Sequence, residues 1–318
     1  MFKIMVGVDV AKKKFEVARW CDGKYRHKVF ENNSIGFAAL LTWLVAFGNE
    51  PVLFVMEATG ADSLPLAQFL ADQGLAVSVV NPAQIKAFAQ SELSRTKADP
   101  ADARLIARYG QERQPPRWTP PSPIIRELQA LVRRVEQLLE MRQMEQNRLD
   151  TADDAAASSI QNLLKTLDQE LKETRDKIHQ RINDDPDLQP RRDLLESIPG
   201  IGEATVAHLL ILLSAHHGFQ NAKQAAAFAG LAPNPHQSGE KGKTRLAKIG
   251  DPLLRKILYM PALVAKQHHP LMAAFCERLK ANGLNGKTVV CAAMRKLIHI
   301  AFGVLKSQRP FDPNFTLA

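Results

Sequence analysis

Cysteine is scarce in this sequence, and its scarcity excludes several classes of protein. Only three cysteines occur in 318 residues, and Cys21, Cys276 and Cys291 are widely spaced, without a CxxC pair. Such spacing supports neither a structural zinc site nor the disulfide framework of a small secreted protein. We therefore expect a protein of a reducing compartment.

Long apolar runs are missing as well. The N-terminus enters a strand pattern directly, with no signal peptide. The longest continuous apolar run, "ATVAHLLILLSA", contains His208 and is much shorter than the roughly 20 residues of a membrane-spanning helix. These absences predict a cytoplasmic protein.

Positive charge is in excess, and its placement is informative. The net charge is +9, but residues 239–309 contain 14 Lys and Arg against three Asp and Glu, so the rest of the chain is slightly acidic. A solvated basic face is the common explanation of such a segment. The asymmetry nevertheless favours a polyanionic partner such as nucleic acid.

The chain is long enough for two or three domains, and the first has the pattern of a mixed sheet. Residues 2–10, 14–20 and 25–30 predict three strands in an antiparallel meander, and strands alternate with helices after them. This order predicts an α/β fold with a mixed sheet flanked by helices, as in ribonuclease-H-like and actin-like proteins. The segment "RQPPRWTPPSP" ends this domain, which we assign to residues 1–122.

Apolar residues recur in heptads in the next part of the chain. They step by four and three from Ile124 to Leu138 and again from Ile160 to Ile178. This period predicts two helices that form a coiled-coil hairpin or mediate dimerisation. We assign residues 123–186 to this spacer and expect no chemistry from it.

The remaining residues, 187–318, predict a mainly α-helical domain. It opens with "LLESIPGIGEATVAHLLILL", in which a Pro-Gly-Ile-Gly turn joins two apolar segments of helical period. This is the pattern of a helix-hairpin-helix, whose backbone N–H groups around Gly200 and Gly202 can bind a phosphate. Two ordinarily packed helices have the same pattern, and the motif alone favours neither interpretation.

Four acidic residues stand where chemistry is expected. Asp9 lies near the end of the first strand, Glu57 ends the strand "VLFVME", and Asp99 and Asp102 are three residues apart at the start of a helix. Each acid has an ordinary explanation by itself, as a turn residue, a helix cap or a solvated position. Together they predict a Mg²⁺ site, because Mg²⁺ prefers carboxylate oxygens and pairs of such ions assist phosphodiester chemistry.

Long motifs make the chain resemble the insertion sequence 110 family of transposases. The resemblance covers nearly the whole sequence. It implies a RuvC-like domain with an acidic DEDD tetrad at Asp9, Glu57, Asp99 and Asp102, a coiled coil, and a C-terminal transposase domain with a nucleophilic serine at Ser238. The motifs are "GVDVAKKKFEVA", "MEATG", "RTKADPADARLIARYG", "LLESIPGIGEATVAHLL" and "FAGLAPNPHQSGEKGKTRLAKIGDPLLRKILYMPAL".

The resemblance also implies a mechanism and partners. In the family the serine attacks a DNA phosphate and becomes linked to the cut 5′ end, while Mg²⁺ at the tetrad stabilises the scissile phosphate. Members form dimers and tetramers with composite sites, and a structured noncoding bridge RNA selects donor and target DNA. Such a protein is expected in the bacterial cytoplasm, associated with the nucleoid.

The residues around Ser238 agree with that role. The segment "PNPHQSGEKGKTR" predicts a flexible loop with cations beside the hydroxyl and with His236 nearby. Without the resemblance, a serine in such a loop would be taken for a turn residue. The residues predicted to bind nucleic acid are Gly200, Gly202, Lys241, Lys243, Arg245, Lys248 and Arg255.

Three other functions fit parts of the pattern. A Mg²⁺-dependent junction-resolving nuclease would use the four acids with water as nucleophile and would not need Ser238. An actin-like kinase also begins with an Asp on a strand, but the Gly/Thr-rich phosphate loops that it requires are not found in the sequence. A non-enzymatic nucleic-acid-binding protein would need only the helix-hairpin-helix and the basic segment.

Overall fold

The computed structural model describes residues 2, 4–21, 24–45, 50–60, 62–92, 99–214, 217–238, 241–246 and 250–313. The chain divides into two compact units, Met1–Pro120 and Pro121–Ala318. The three-part division at residues 122 and 186 stays a prediction.

The first unit is a mixed α/β structure, as predicted. Its five-stranded sheet has the order β3-β2-β1-β4-β5, with β1, β2 and β3 antiparallel and with β4 and β5 parallel to β1. The elements of this unit are β1 (Ile4–Val10), β2 (Lys14–Cys21), β3 (Lys24–Glu31), α1 (Ser34–Val45), β4 (Val52–Glu57), α2 (Leu64–Asp72), β5 (Ala76–Val80), α3 (Pro82–Ser91) and α4 (Asp99–Arg113).

The central strand β1 is covered on both faces. Val6 and Val8 pack with residues of α1 and α2 on one face, and Met5 packs with residues of α3 and α4 on the other. A strand covered on both faces becomes a nearly continuous apolar run. Asp9 is the one charged residue in that run, and it is also the one residue of β1 that is not fully buried.

Glycine lets α4 lie directly on the sheet. A Cβ atom at Gly7 would collide with the carbonyl oxygen of Ala103 and the backbone nitrogen of Ala107, and one at Gly110 would lie 2.7 Å from the Cγ2 atom of Val55. Since Gly7 lies two residues before Asp9 in β1, the N-terminal half of α4 crosses the strand near its carboxyl end. This crossing determines where the acidic residues at the start of α4 lie.

The second unit is mainly α-helical. Its elements are α5 (Pro123–Leu149), α6 (Asp154–Asp184), α7 (Leu188–Glu196), α8 (Glu203–Leu212), α9 (Ala222–Phe228), β6 (Pro233–Ser238), β7 (Lys241–Leu246), α10 (Pro252–His268), α11 (Pro270–Ala281) and α12 (Gly286–Ser307). The two predicted apolar segments around the Pro-Gly-Ile-Gly turn are α7 and α8.

Helices α5 and α6 form the predicted antiparallel pair, but the apolar seam of α5 differs by one residue over its first half. Ile125 and Val132 are buried, whereas the heptad count assigned the seam to Ile124 and Leu131. The reason is that Ile125, Leu128 and Val132 belong to the same apolar core as α8, α10 and α12. This half of α5 therefore packs in the core of the unit as well as against α6. A coiled-coil role in assembly stays a prediction.

Helix α12 is apolar over most of its length, but Lys and Arg residues divide its apolar residues into short runs, so the sequence shows no long continuous run there. It is the one helix of the described residues that is long and apolar enough to cross a membrane, with a mean hydropathy of 1.6 in its most apolar window. Half of that window is buried in the protein. A buried core helix has the same composition, and the buried residues of α12 belong to the core of the second unit.

Candidate functional site

The carboxyl ends of β1 and β4 bring two predicted acids side by side. The strands are parallel, with Val8 opposite Met56, so Asp9 and Glu57 are the next pair in register. Neighbours in register point to the same face of a sheet. That face is the one covered by α4, because Gly7 and Val55, two residues earlier in each strand, both lie against that helix.

Helix α4 brings a third acid to the same edge. Asp102 lies in its first turns, next to Ala103, which is close to Gly7 of β1. Burial raises the pKa of the Glu57 carboxyl, and the negative charge of Asp102 raises that pKa further. The two carboxylates are therefore close enough to repel each other. Asp99 is the first residue of α4, but its side chain lies outside the described residues.

The donor set at this edge fits a hard divalent cation. Carboxylate oxygens are the ligands that Mg²⁺ prefers, and a cation between Glu57 and Asp102 would relieve the repulsion that raises the pKa of Glu57. Among the described side chains, no three His, Cys, Asp or Glu residues are grouped closely enough to hold a metal ion. Binding a cation would therefore have to draw these acids together, with Asp99 as a further donor.

A fourth carboxylate borders Asp9 and was missed from the sequence. Glu16 of β2 is directly opposite Asp9, and only 5% of it is exposed. Its Oε2 atom is 3.0 Å from His27 Nε2, and its Oε1 atom accepts a hydrogen bond of 3.2 Å from Lys14 Nζ. These two partners offset the cost of burying a second negative charge beside Asp9. The sequence contained one signal of this site. Glu16 occupies a position in the alternating strand β2 that lies on the same face as Asp9, which is the face that α4 covers.

Replacing Glu57 by Gln is expected to stabilise the metal-free protein at neutral pH. Because the pKa of Glu57 is raised in the folded state, folding favours the protonated carboxyl, and stability is lost as pH rises through that pKa. Glutamine is neutral at every pH and removes this loss. Thermal unfolding in EDTA should give a higher midpoint for Glu57→Gln than for wild type at neutral pH.

The gain in unfolding midpoint should shrink in acid, where Glu57 is itself protonated. Glu50→Gln changes an exposed carboxyl just before β4 and is the matched control. An equal gain in Glu50→Gln, or a gain that does not depend on pH, would contradict the raised pKa of Glu57 that follows from its burial and from the charge of Asp102.

The glycines of the Pro-Gly-Ile-Gly turn have different environments. Gly200 has a φ of +95°, and a Cβ atom there would lie 2.8 Å from the carbonyl oxygen of Pro261, so it serves close packing on α10. Gly202 is the N-cap of α8 and has open space around it. Glu203 occupies the first turn of α8 and lies 2.7 Å from His179 Nδ1. An approaching phosphate would therefore meet an acidic side chain at this helix start.

Ser238 lies at the end of a strand and not in an irregular loop, which corrects the sequence analysis. It is the last residue of β6, and it pairs in register with Lys241, the first residue of β7. Proline is unfavourable within a sheet, but both strands of a two-stranded ribbon are edge strands, where the two prolines of "PNPHQS" are tolerated.

Of the predicted nucleic-acid-binding cations, Arg255 is the one whose side chain the structure describes. The side chains of Ser238, Lys241, Lys243 and Arg245, and the whole of Lys248, lie outside the described residues. Arg255 is half-buried in α10, and its Nη1 atom donates a hydrogen bond of 3.4 Å to the carbonyl oxygen of Ala229, just after α9. This contact gives Arg255 a structural partner within the second unit.

Two family models match the chain. One, described as "Transposase", matches residues 6–152, and one described as "Transposase IS116/IS110/IS902 family" matches residues 192–277. A protein of Moraxella lacunata named "Pilin gene-inverting protein" is 34% identical over 317 residues, which cover 98% of this chain and 98% of that protein. The chain belongs to the IS110 family of transposases. The resemblance inferred from the motifs is thereby confirmed.

Other relatives agree with this assignment. The "Pilin gene-inverting protein" of Moraxella bovis has the same 34% identity over 317 residues. A protein of insertion element IS110 from Streptomyces coelicolor is 27% identical over 135 residues, which cover 42% of this chain and 33% of that protein. As an IS110-family transposase, this protein is a DNA-processing enzyme of the recombinase class, and its substrate is DNA.

Proposed function

We propose that this IS110-family transposase cleaves and exchanges DNA strands with Mg²⁺ and through a covalent serine–DNA intermediate. The observation that supports it most is the placement of Asp9, Glu57 and the start of α4 at one edge of the sheet. No packing requirement explains three carboxylates there, since charges of one sign repel. The mixed sheet with this acidic edge supports a RuvC-like fold for the first unit.

The acidic edge would hold the metal and the scissile phosphate. Asp9, Glu57, Asp99 and Asp102 are the proposed ligands. Mg²⁺, when bound, supplies positive charge that stabilises the phosphate as it is attacked. Glu16 adds a second negative charge beside Asp9, and the ammonium group of Lys14, which donates a hydrogen bond to it, would offset part of that charge near the DNA.

Ser238 is the proposed nucleophile. Its hydroxyl oxygen would form a bond to phosphorus while the bond from phosphorus to the 3′ oxygen breaks, leaving the 5′ end on the serine. A base such as His236 would accept the serine proton, and the 3′ oxygen would leave as a hydroxyl. One phosphodiester replaces another, so strand exchange needs no external energy. Its position beside the hairpin turn, opposite Lys241, would present the hydroxyl next to a cation.

We further propose that assembly and guidance follow the family. Residues 123–186 would act as a coiled-coil spacer in a dimer or tetramer, in which the acidic edge and Ser238 form composite sites. A structured bridge RNA would bind together with donor and target DNA. The excess of cations in residues 239–309 supports a polyanionic partner, and the helix-hairpin-helix glycines and the predicted cations are its proposed contacts.

DNA inversion is a second candidate activity. It is supported by two relatives named "Pilin gene-inverting protein", whose similarity extends over 98% of this chain. Inversion and transposition share the same cleavage and exchange steps, and they differ in the arrangement of the two DNA sites. A reaction on plasmids that carry the sites in direct or inverted orientation would separate them.

One reaction tests the proposed chemistry. Duplex DNA containing the element's joined ends is labelled at a 3′ end and incubated with the protein and the noncoding RNA transcribed beside its gene. Because the 5′ end at the cut joins the protein, the fragment with the 3′ label should migrate with protein after denaturation. Protease should release it, and EDTA should prevent its formation. A labelled fragment with a free 5′ phosphate would instead favour the junction-resolving nuclease.

A further inference from the structure

Asn32 connects the two chain segments that follow the acidic residues. Its Nδ2 group donates hydrogen bonds to the carbonyl oxygens of Ala11, at 3.0 Å, and Asp62, at 3.1 Å. Ala11 comes two residues after Asp9, and Asp62 comes five residues after Glu57. A single side-chain amide thus joins the β1–β2 turn to the segment that leaves β4.

The chemistry of these bonds suits asparagine and few other residues. Both acceptors are carbonyl oxygens, so the side chain must offer two donors without a charge, which an amide nitrogen does. The backbone N–H of Asn32 is also bound, to the carbonyl oxygen of Lys13 at 3.0 Å. The backbone of Asn32 is therefore fixed to the same β1–β2 turn that its side chain contacts.

The other end of the amide shows that packing alone does not explain Asn32. Its Oδ1 atom is buried and accepts no hydrogen bond from the described part of the chain. A buried acceptor without a partner destabilises a protein, and an apolar side chain of similar size would avoid this cost. The two donated hydrogen bonds are the feature that leucine could not supply.

The acidic edge has a reason to be held together. Asp9 and Glu57 are next in register at the ends of β1 and β4, and like charges repel, so contacts that hold these strand ends together oppose that repulsion. A separate hydrogen bond, from the backbone N–H of Thr59 to Ser63 Oγ at 3.2 Å, joins two residues of the segment after β4. Asn32 then ties this segment to the turn after Asp9, so that the ends of β1 and β4 resist separation.

We propose that Asn32 is a positioning residue that holds together the segments after Asp9 and Glu57, so that the carboxylates of these two residues can converge on a divalent cation. This inference rests on the proposed metal site. It assigns no contact with DNA or metal to Asn32 itself. The amide acts through the backbone of the two segments.

The neighbouring asparagine provides a matched control. Asn33 accepts a hydrogen bond of 2.9 Å from the backbone N–H of Gly36 and so caps α1. Its Nδ2 group donates an exposed hydrogen bond of 2.8 Å to Glu31 Oε2, and it binds neither segment in the described structure. Aspartate caps a helix as well as asparagine does. Asn33→Asp therefore makes the same chemical change one residue away, whereas Asn32→Asp places a carboxylate against two carbonyl oxygens.

The test uses the full-length protein and two measurements. Hydrogen exchange without metal reports whether residues 11–14 and 58–63 are held, and Mn²⁺ binding by electron paramagnetic resonance reports on the acidic edge. We expect Asn32→Asp and Asn32→Leu to exchange faster in both segments and to bind Mn²⁺ about tenfold more weakly, as expected for one or two lost hydrogen bonds. Asn33→Asp should match wild type in both measurements.

The outcomes separate this inference from the proposed metal site. Unchanged exchange and unchanged Mn²⁺ binding in both Asn32 variants would overturn the inference, and so would faster exchange with unchanged Mn²⁺ binding, which would make Asn32 merely structural. If wild type binds no Mn²⁺ at all, the metal site fails and the positioning role falls with it, while exchange still tells whether Asn32 joins the segments. If Asn32→Asp unfolds, the uncharged Asn32→Leu decides.

Discussion

Asp9→Ala is expected to abolish DNA cleavage while leaving the fold intact. Asp9 is half-buried at the end of a strand that is otherwise buried, next in register to Glu57 and opposite Glu16. Removing one of several crowded carboxylates relieves repulsion, so the thermal unfolding midpoint should not fall. Loss of a group that stabilises transition-state charge lowers rates by at least about 100-fold, and a lost metal ligand should cost more.

The measurement is single-turnover cleavage of the labelled DNA with Mg²⁺, alongside thermal unfolding and DNA binding. Asp72→Ala is the control, because it removes an Asp of the same unit at the end of α2, outside the acidic edge. Asp9→Ala that cleaves at the wild-type rate would show that the site is wrongly assigned. Loss of cleavage in Asp72→Ala as well would point to a general effect on the unit.

Ser238→Ala is expected to eliminate the covalent protein–DNA product without weakening the binding of DNA. In serine hydrolases, loss of the nucleophile alone lowers kcat on the order of 10⁶-fold. No adduct should therefore be detectable. A thiol can also attack phosphorus, so Ser238→Cys is expected to retain a trace of adduct.

The adduct assay on DNA labelled at the 3′ end decides this prediction. Ser214→Ala removes a hydroxyl in the same unit, which donates a hydrogen bond of 2.6 Å to the carbonyl oxygen of Ile211 in α8, and it should leave the adduct unchanged. If Ser238→Ala cleaves at the wild-type rate and leaves a free 5′ phosphate, the result would favour a nuclease that uses water as the nucleophile. Mn²⁺ binding by Ser238→Ala should equal that of wild type, since the acidic edge is unaltered.

Local patterns were sufficient for most of the first unit. Alternating segments and short apolar runs, bounded by turn sequences, placed β1 to β5 within a few residues, because a half-buried strand alternates with a period of two and a strand buried on both faces is a continuous apolar run. The "DPADA" segment predicted the start of α4, because Asp and Pro are favoured at the first helical positions. The juxtaposition of Asp9 and Glu57 followed from the order of strands alone.

Residues that depend on partners distant in the sequence were missed. Glu16 and His27 are joined across two strands, and Asn32 binds carbonyl oxygens 21 and 30 residues away. The apolar seam of α5 includes Val132, because that half of the helix faces a core built by several later helices. Local periodicity contains no information on which partner a side chain meets.

By itself, then, the sequence determined the family and the order of strands and helices, and it singled out four acids as candidate metal ligands, since periodicity, capping residues and long motifs are local properties of the chain. Only the tertiary structure decided that α4 crosses β1 at Gly7, that Asp102 raises the pKa of Glu57, and that Asn32 joins the segments after β1 and β4. The physical reason is that close packing, electrostatic repulsion and hydrogen bonding depend on distances in space, which separation along the chain does not specify.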